Sequence, residues 1–123
     1  MKPSYNLFKN FSYSFAGIGA TWAEGVNFRI QLSVGAVAVV LGFLLQISAL
    51  EWLAIVICCG LVLGGECFNS ALESVVDLAS PEYHDLAKAA KDMAAGAVMI
   101  FAFASFIVGV IIFLPKIWAL LPF

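Results

Sequence analysis

An uninterrupted apolar run, Trp52 to Gly65, continues without a turn signal into the polar segment ECFNSALESVVDL, residues 66–78. No other feature constrains the chain so strongly. At about 100° per residue, Glu66, Asn69, Ser70, Glu73 and Asp77 fall within an arc of roughly 100°. Leu72, Val75, Val76 and Leu78 cover the rest of the turn. One helix therefore passes from an apolar stretch into a stripe of carboxylates with an amide and a hydroxyl among them. An ionisable group at membrane depth costs roughly 2.5–3.5 kcal/mol on insertion scales, so such groups face protein or water and carry function.

Composition fixes the surroundings of that helix. The chain is 63% hydrophobic and 11% charged, with a mean hydropathy of +1.04; soluble domains are about 25% charged. A chain of 123 residues has too little interior to hide so much apolar surface. The expectation is a single domain, residues 1–123, belonging to an all-α integral membrane protein. A net charge of −2 leaves no nucleic-acid footprint. Cys58, Cys59 and Cys67 lack C-x-x-C spacing and read as small buried hydrophobes. Polar groups interrupt the first 25 residues throughout, so no cleavable signal peptide is expected.

The pattern predicts one surface helix and three spanning ones. Over residues 4–23, Phe8, Phe11, Phe15, Ile18 and Trp22 recur at spacings of three and four, with Lys9, Asn10, Ser12 and Ser14 between them. That is an amphipathic helix, suited to lie in the membrane interface or to pack its aromatic side on the other helices. The first span is expected over 30–49, followed by a short turn marked by Gln46, Ser48 and Glu51. The second helix is expected over 52–79. Ser80-Pro81-Glu82 reads as the start of the third, with Ser as N-cap and Pro at the first helical position, so that 81–114 is helical and ends at Pro115.

Basic residues orient this arrangement. Lys2, Lys9, Arg29, Lys88 and Lys91 fall on one side of a three-span plan and Lys116 on the other. The positive-inside rule then puts the amino terminus and the acidic stripe at the cytoplasmic face. Carboxylates there suit three tasks: holding a hard cation such as Mg²⁺, supplying a general base buried among like charges, or relaying protons or ions. Lys91 and Asp92, with His84 and Lys88 before them, lie across the connection from the stripe. Lys91 beside the acids suits a nucleotide phosphate with its metal; alternatively it simply neutralises Glu73 or Asp77. No P-loop or soluble-kinase motif is present.

The segment NSALESVVDL, followed by PEYHDLAKAAKDMAAGAV, closely resembles the signature of the prokaryotic diacylglycerol kinase and undecaprenol kinase family. Tyr13 to Gly17 and NFRIQ, Asn27 to Gln31, extend the similarity to nearly the whole chain. The resemblance implies a homotrimeric lipid kinase of the bacterial inner membrane, its site on the cytoplasmic side. It would move the γ-phosphoryl of ATP, with Mg²⁺, to a lipid hydroxyl. It makes Glu66 the general base, with Glu66 and Ser70 on the side of the lipid alcohol, and Glu73 and Glu24 the metal ligands. Tyr13, Asn69, Asp77, Glu82, Tyr83, His84, Lys91 and Asp92 would engage or line the path of the nucleotide.

The family pattern places a metal-binding glutamate two residues before Asn27, where this chain has Gly25; Glu24 stands one residue earlier. Either a local bulge returns Glu24 to the metal, or that ligand has moved. A second departure is Gln31, where many relatives carry His. The HDLAKAAKDMAAGAV segment looks more like the undecaprenol branch, so undecaprenol is the expected acceptor, with diacylglycerol as the second. The rival readings are a small ion or proton transporter built on Glu66, Glu73 and Asp77, and a non-catalytic assembly helper. A relay would carry acids through several spans, and the interiors of spans one and three have almost none.

Overall fold

The structure, a computed structural model, describes residues 6–123, in four helices. They are α1 Leu7–Glu24, α2 Val26–Leu44, α3 Ala49–Ala79 and α4 Asp85–Leu120. The protein is all-helical, and α2, α3 and α4 are each long and apolar enough to cross a membrane. At 1.5 Å per residue, the 31 residues of α3 and the 36 of α4 extend about 46 and 54 Å. Both overrun an apolar layer of about 30 Å by several turns. That overrun carries the acidic stripe beyond the purely apolar part of α3. Residues 4 and 5 of the expected first helix, and Lys2, lie outside the described residues.

Local chemistry explains most helix starts. Asn6 caps α1, its Oδ1 accepting from the N–H of Phe8 at 3.1 Å and of Lys9 at 3.4 Å. Ser48 and Glu51 form a reciprocal capping box at the start of α3: the Glu51 N–H donates to Ser48 Oγ, and the Ser48 N–H donates to Glu51 Oε1. The α2–α3 turn thus comes earlier than the expected boundary at 49, with Gln46 taking a left-handed φ of 52° at its tip. The first span accordingly begins at Val26 rather than at 30.

Two boundaries depart from expectation for identifiable reasons. The helix expected from Pro81 begins at Asp85. The Ser80 hydroxyl donates to the Glu82 carbonyl at 2.9 Å, closing a turn instead of capping a helix. Pro81 thereby acts as the stop that often follows a helix end. His84 is the cap, its Nδ1 accepting from the Leu86 N–H at 3.0 Å. At the far end Pro115 does not terminate α4, which runs on to Leu120. Spanning helices tolerate proline because the surroundings re-satisfy the freed carbonyl. Here Lys116 also ties that end to α3 through Glu51 Oε2, at 2.8 Å.

The central element is α3, with α4 packed along it most extensively, α2 beside it, and α1 touching both α2 and α3. A small core of Ile47, Ile55, Ile112 and Phe113 closes the end opposite the stripe, with Trp52 and Leu41 against it. Gly42 is required there: a Cβ would lie 2.6 Å from the Trp52 ring. Gly65 packs closely against Phe101, whereas Gly17, Gly19 and Gly64 have open space beside them. The outward faces remain apolar, as Val37, Phe43, Leu53, Ile100 and Phe106 show.

Candidate functional site

Two cavities flank α3, and their chemistry differs completely. The larger, about 480 Å³, is an apolar groove between α2 and α4, running from Gln31 to Ile117. The other, about 380 Å³, is polar and lies where α1 ends, α2 begins and the α3 stripe faces them. Glu24, Gly25, Val26 and Asn27 form one wall; Glu66, Asn69, Ser70, Glu73, Ser74 and Asp77 form the other.

The helical period of α3 delivers its wall. Glu66, Ser70, Glu73 and Asp77 recur at three and four residues, with Asn69 beside them, so all meet one space. Within this row the Asn69 amide donates to Glu73 Oε1 at 3.1 Å, fixing one carboxylate oxygen. The Asn69 Oδ1 is buried and has no partner. Glu66 is only 4% exposed, and its carboxylate takes part in no hydrogen bond or ion pair among the described residues. A buried carboxylate without a partner is costly unless a ligand completes it.

The opposite wall depends on a break in the helix. Gly25 is extended, φ −105° and ψ 104°, and its N–H donates to the Thr21 carbonyl at 2.8 Å. A Cβ at this position would lie 2.8 Å from that same carbonyl oxygen, so glycine suits this break between α1 and α2. The break leaves Glu24 on the pocket wall. The register shift seen in the sequence therefore still leaves a carboxylate in this space.

Electrostatics set what the pocket can accept. Four carboxylates line it, and one is paired: Lys91 on α4 bonds Asp77. The excess negative charge calls for a cation. Among the described residues, no three acid, histidine or cysteine side chains converge closely enough to cage a metal alone. This donor set fits Mg²⁺, which is usually held by one or two carboxylates plus waters and phosphate oxygens.

The structure thus gathers Glu24, Glu66, Asn69, Ser70, Glu73 and Asp77, and not the remaining sequence candidates. Tyr13 is exposed, three helical turns before Glu24 on α1. Glu82 and Tyr83 sit in the exposed α3–α4 connection, and Tyr83 donates to Asp85 Oδ1 at 2.9 Å. His84 caps α4, and Asp92 pairs with Lys88 one turn away. Lys91 reaches the site through Asp77 alone. Sequence reasoning missed Gly25, Val26 and Ser74 as wall residues, and treated Asn27 only as part of a motif. The signal for Ser74 was its position just outside the stripe's arc.

Comparison with known proteins identifies the family. Residues 12–113 match the prokaryotic diacylglycerol kinase family. The chain is 42% identical to the undecaprenol kinase of Bacillus subtilis over 111 residues, covering 90% of each protein. It is 41% identical to the diacylglycerol kinase of a Synechocystis strain over 94% of this chain and 67% of that one. Against the Escherichia coli K12 diacylglycerol kinase the identity is 34%, over 92% and 89% of the two chains. The chain is an integral membrane protein and belongs to the prokaryotic diacylglycerol kinase family, a family of lipid kinases.

Proposed function

We propose that this lipid kinase moves the γ-phosphoryl of ATP to the hydroxyl of a membrane lipid, with undecaprenol the preferred acceptor and diacylglycerol the second. The observation that carries the reading is Glu66: buried, unpartnered, and standing where the apolar part of α3 meets the polar pocket. A lipid alcohol arrives at that point from the side and a nucleotide from the aqueous end. Glu66 accepts the hydroxyl proton as the oxygen bonds to the γ-phosphorus, and the bond from that phosphorus to the bridging oxygen breaks to release ADP. Ser70, one turn along, orients the alcohol.

Glu73, held by Asn69, and Glu24 would hold Mg²⁺. When bound, that ion neutralises charge on the phosphates. Asp77 and Lys91 flank the nucleotide, while Tyr13, Glu82, Tyr83, His84 and Asp92 lie along its approach. In this reading the protein works as a homotrimer in the bacterial inner membrane, with the pocket on the cytoplasmic side where Arg29, Lys88 and Lys91 lie. An ion or proton relay is disfavoured, because Glu24, Glu66, Glu73 and Asp77 gather at one pocket and the interiors of α2 and α4 carry no acids.

The test offers purified protein labelled ATP with undecaprenol and diacylglycerol side by side. Transfer to undecaprenol in excess of diacylglycerol is the expected result. Transfer to neither removes the reading, and a reversed preference reassigns the acceptor.

A further inference from the structure

The first turn of α2 is the one helix start in the described structure without a side-chain cap. Asn6, Ser48 and His84 cap the other three. At α2 the N-cap is Gly25, which has no side chain to offer. The N–H groups of Val26, Asn27 and Phe28 precede the first intrahelical bond, from Arg29 to the Gly25 carbonyl at 3.3 Å, and no side chain caps them. Three backbone donors and the positive end of a 19-residue helix are therefore left open. Gly25, Val26 and Asn27 line the polar cavity, so this helix end opens into it.

Facing it from α3 is Glu66, 4% exposed and unpartnered. Glu66 calls for a cation or a hydroxyl donor, while the α2 amides call for an anion. A phosphoryl group next to a hydroxyl and a cation satisfies both in one cavity. We propose that the amino terminus of α2 is a phosphoryl-binding cradle, in which the Val26 and Asn27 amides hold the oxygens of the group being transferred. The cradle rests on the lipid-kinase reading and deepens it, because it assigns the anion to backbone rather than to a basic side chain. It adds uncharged donors to a pocket whose one lysine is already paired to Asp77. It also gives Gly25 a second consequence: without a side chain there, nothing shields the amides.

Two ligands carry this chemistry, the terminal phosphate of a nucleoside triphosphate and the phosphate of a product lipid. Val26→Pro tests both. Proline is favoured at the first helical position, where it removes one N–H and leaves the helix intact. The Gly25 backbone is already in the extended region that a following proline demands. Val26 is 61% exposed, so no core packing is lost. Val26→Ala, which keeps the N–H, is the comparison variant. Affinities for Mg·ADP, for Mg²⁺ with a non-hydrolysable ATP analogue, and for phosphatidic acid in detergent micelles are measured by calorimetry.

A hydrogen bond to a charged group predicts about tenfold or greater weakening in the proline variant relative to the alanine variant. Loss confined to the triphosphate analogue assigns the cradle to the γ-phosphoryl; loss confined to phosphatidic acid assigns it to the product phosphate. Unchanged affinity for both, or a loss shared equally by Mg·ADP, overturns the proposal. If Val26→Pro does not fold, backbone amide NMR of the unaltered protein decides: the Val26 and Asn27 signals shift with one of these two ligands, or the proposal falls. Failure of the lipid-kinase reading shows separately, as absence of phosphate transfer by the unaltered protein, and takes the cradle with it.

Discussion

Two glutamates on α3, Glu51 in its first turn and Glu66 past its midpoint, are treated in opposite ways. At the start of the helix Glu51 is fully engaged: one oxygen accepts from the Ser48 N–H and the other from the Lys116 ammonium. The adjoining core of Ile47, Ile55, Ile112 and Phe113 is apolar and closed. Toward the other end, Glu66 is more deeply buried yet meets no partner, and the carbonyl oxygen of Asn69 beside it is likewise unsatisfied. Glu51 holds two helices in register. Glu66 waits for something the chain does not supply. An acid's functional weight is thus read from its missing partners, not from its burial or its position on a stripe.

The largest way to break this contrast is at Glu66. On the proposed mechanism Glu66→Gln lowers kcat by about 10²–10⁴-fold, the usual contribution of a general base, and leaves the melting temperature unchanged. A folded, fully active variant would make Glu66 a structural residue like Glu51. Glu73→Gln and Glu24→Gln sharpen the metal assignment: each is expected to raise the Mg²⁺ concentration needed for half-maximal activity. An unchanged Mg²⁺ titration in Glu24→Gln would remove Glu24 from the metal.

The opposite end should respond in stability alone. Gly42→Ala drives a methyl into Trp52 and is expected to cost about 1–3 kcal/mol, read by denaturation in detergent, with kcat retained. Ser48→Ala removes the cap of α3 and should cost about 1 kcal/mol by the same measurement. The smallest expected effect is at Lys91. Lys91→Ala should raise the KM for ATP severalfold; unchanged nucleotide kinetics would leave its bond to Asp77 as simple charge pairing.

Much of this organisation was legible in the residues. The unbroken join between the apolar run and residues 66–78 specified a long α3 with its acids on one face, because helical period alone fixes that arrangement. What escaped was decided by competition for individual polar groups. Ser80 resembles a cap in sequence, yet its hydroxyl turns to the Glu82 carbonyl, and His84 takes the role. Pro115 resembles a terminator, but an apolar helix with Lys116 anchored to Glu51 continues past it. The α1–α2 wall was hidden for another reason. Gly25 breaks the helix with a close approach to the Thr21 carbonyl one turn before it, a local contact with no periodic signature. Asp92 and His84, which the resemblance places with the nucleotide, make local contacts here, with Lys88 and with the Leu86 N–H.

The most direct measurement is single-turnover transfer of labelled phosphate from ATP to undecaprenol, with the unaltered protein and Glu66→Gln in parallel. Rapid labelling by the first and a loss of at least about a hundredfold in the second, with equal folding, is the predicted result. Equal rates in the two proteins would contradict the claim that an unpartnered buried acid drives the chemistry.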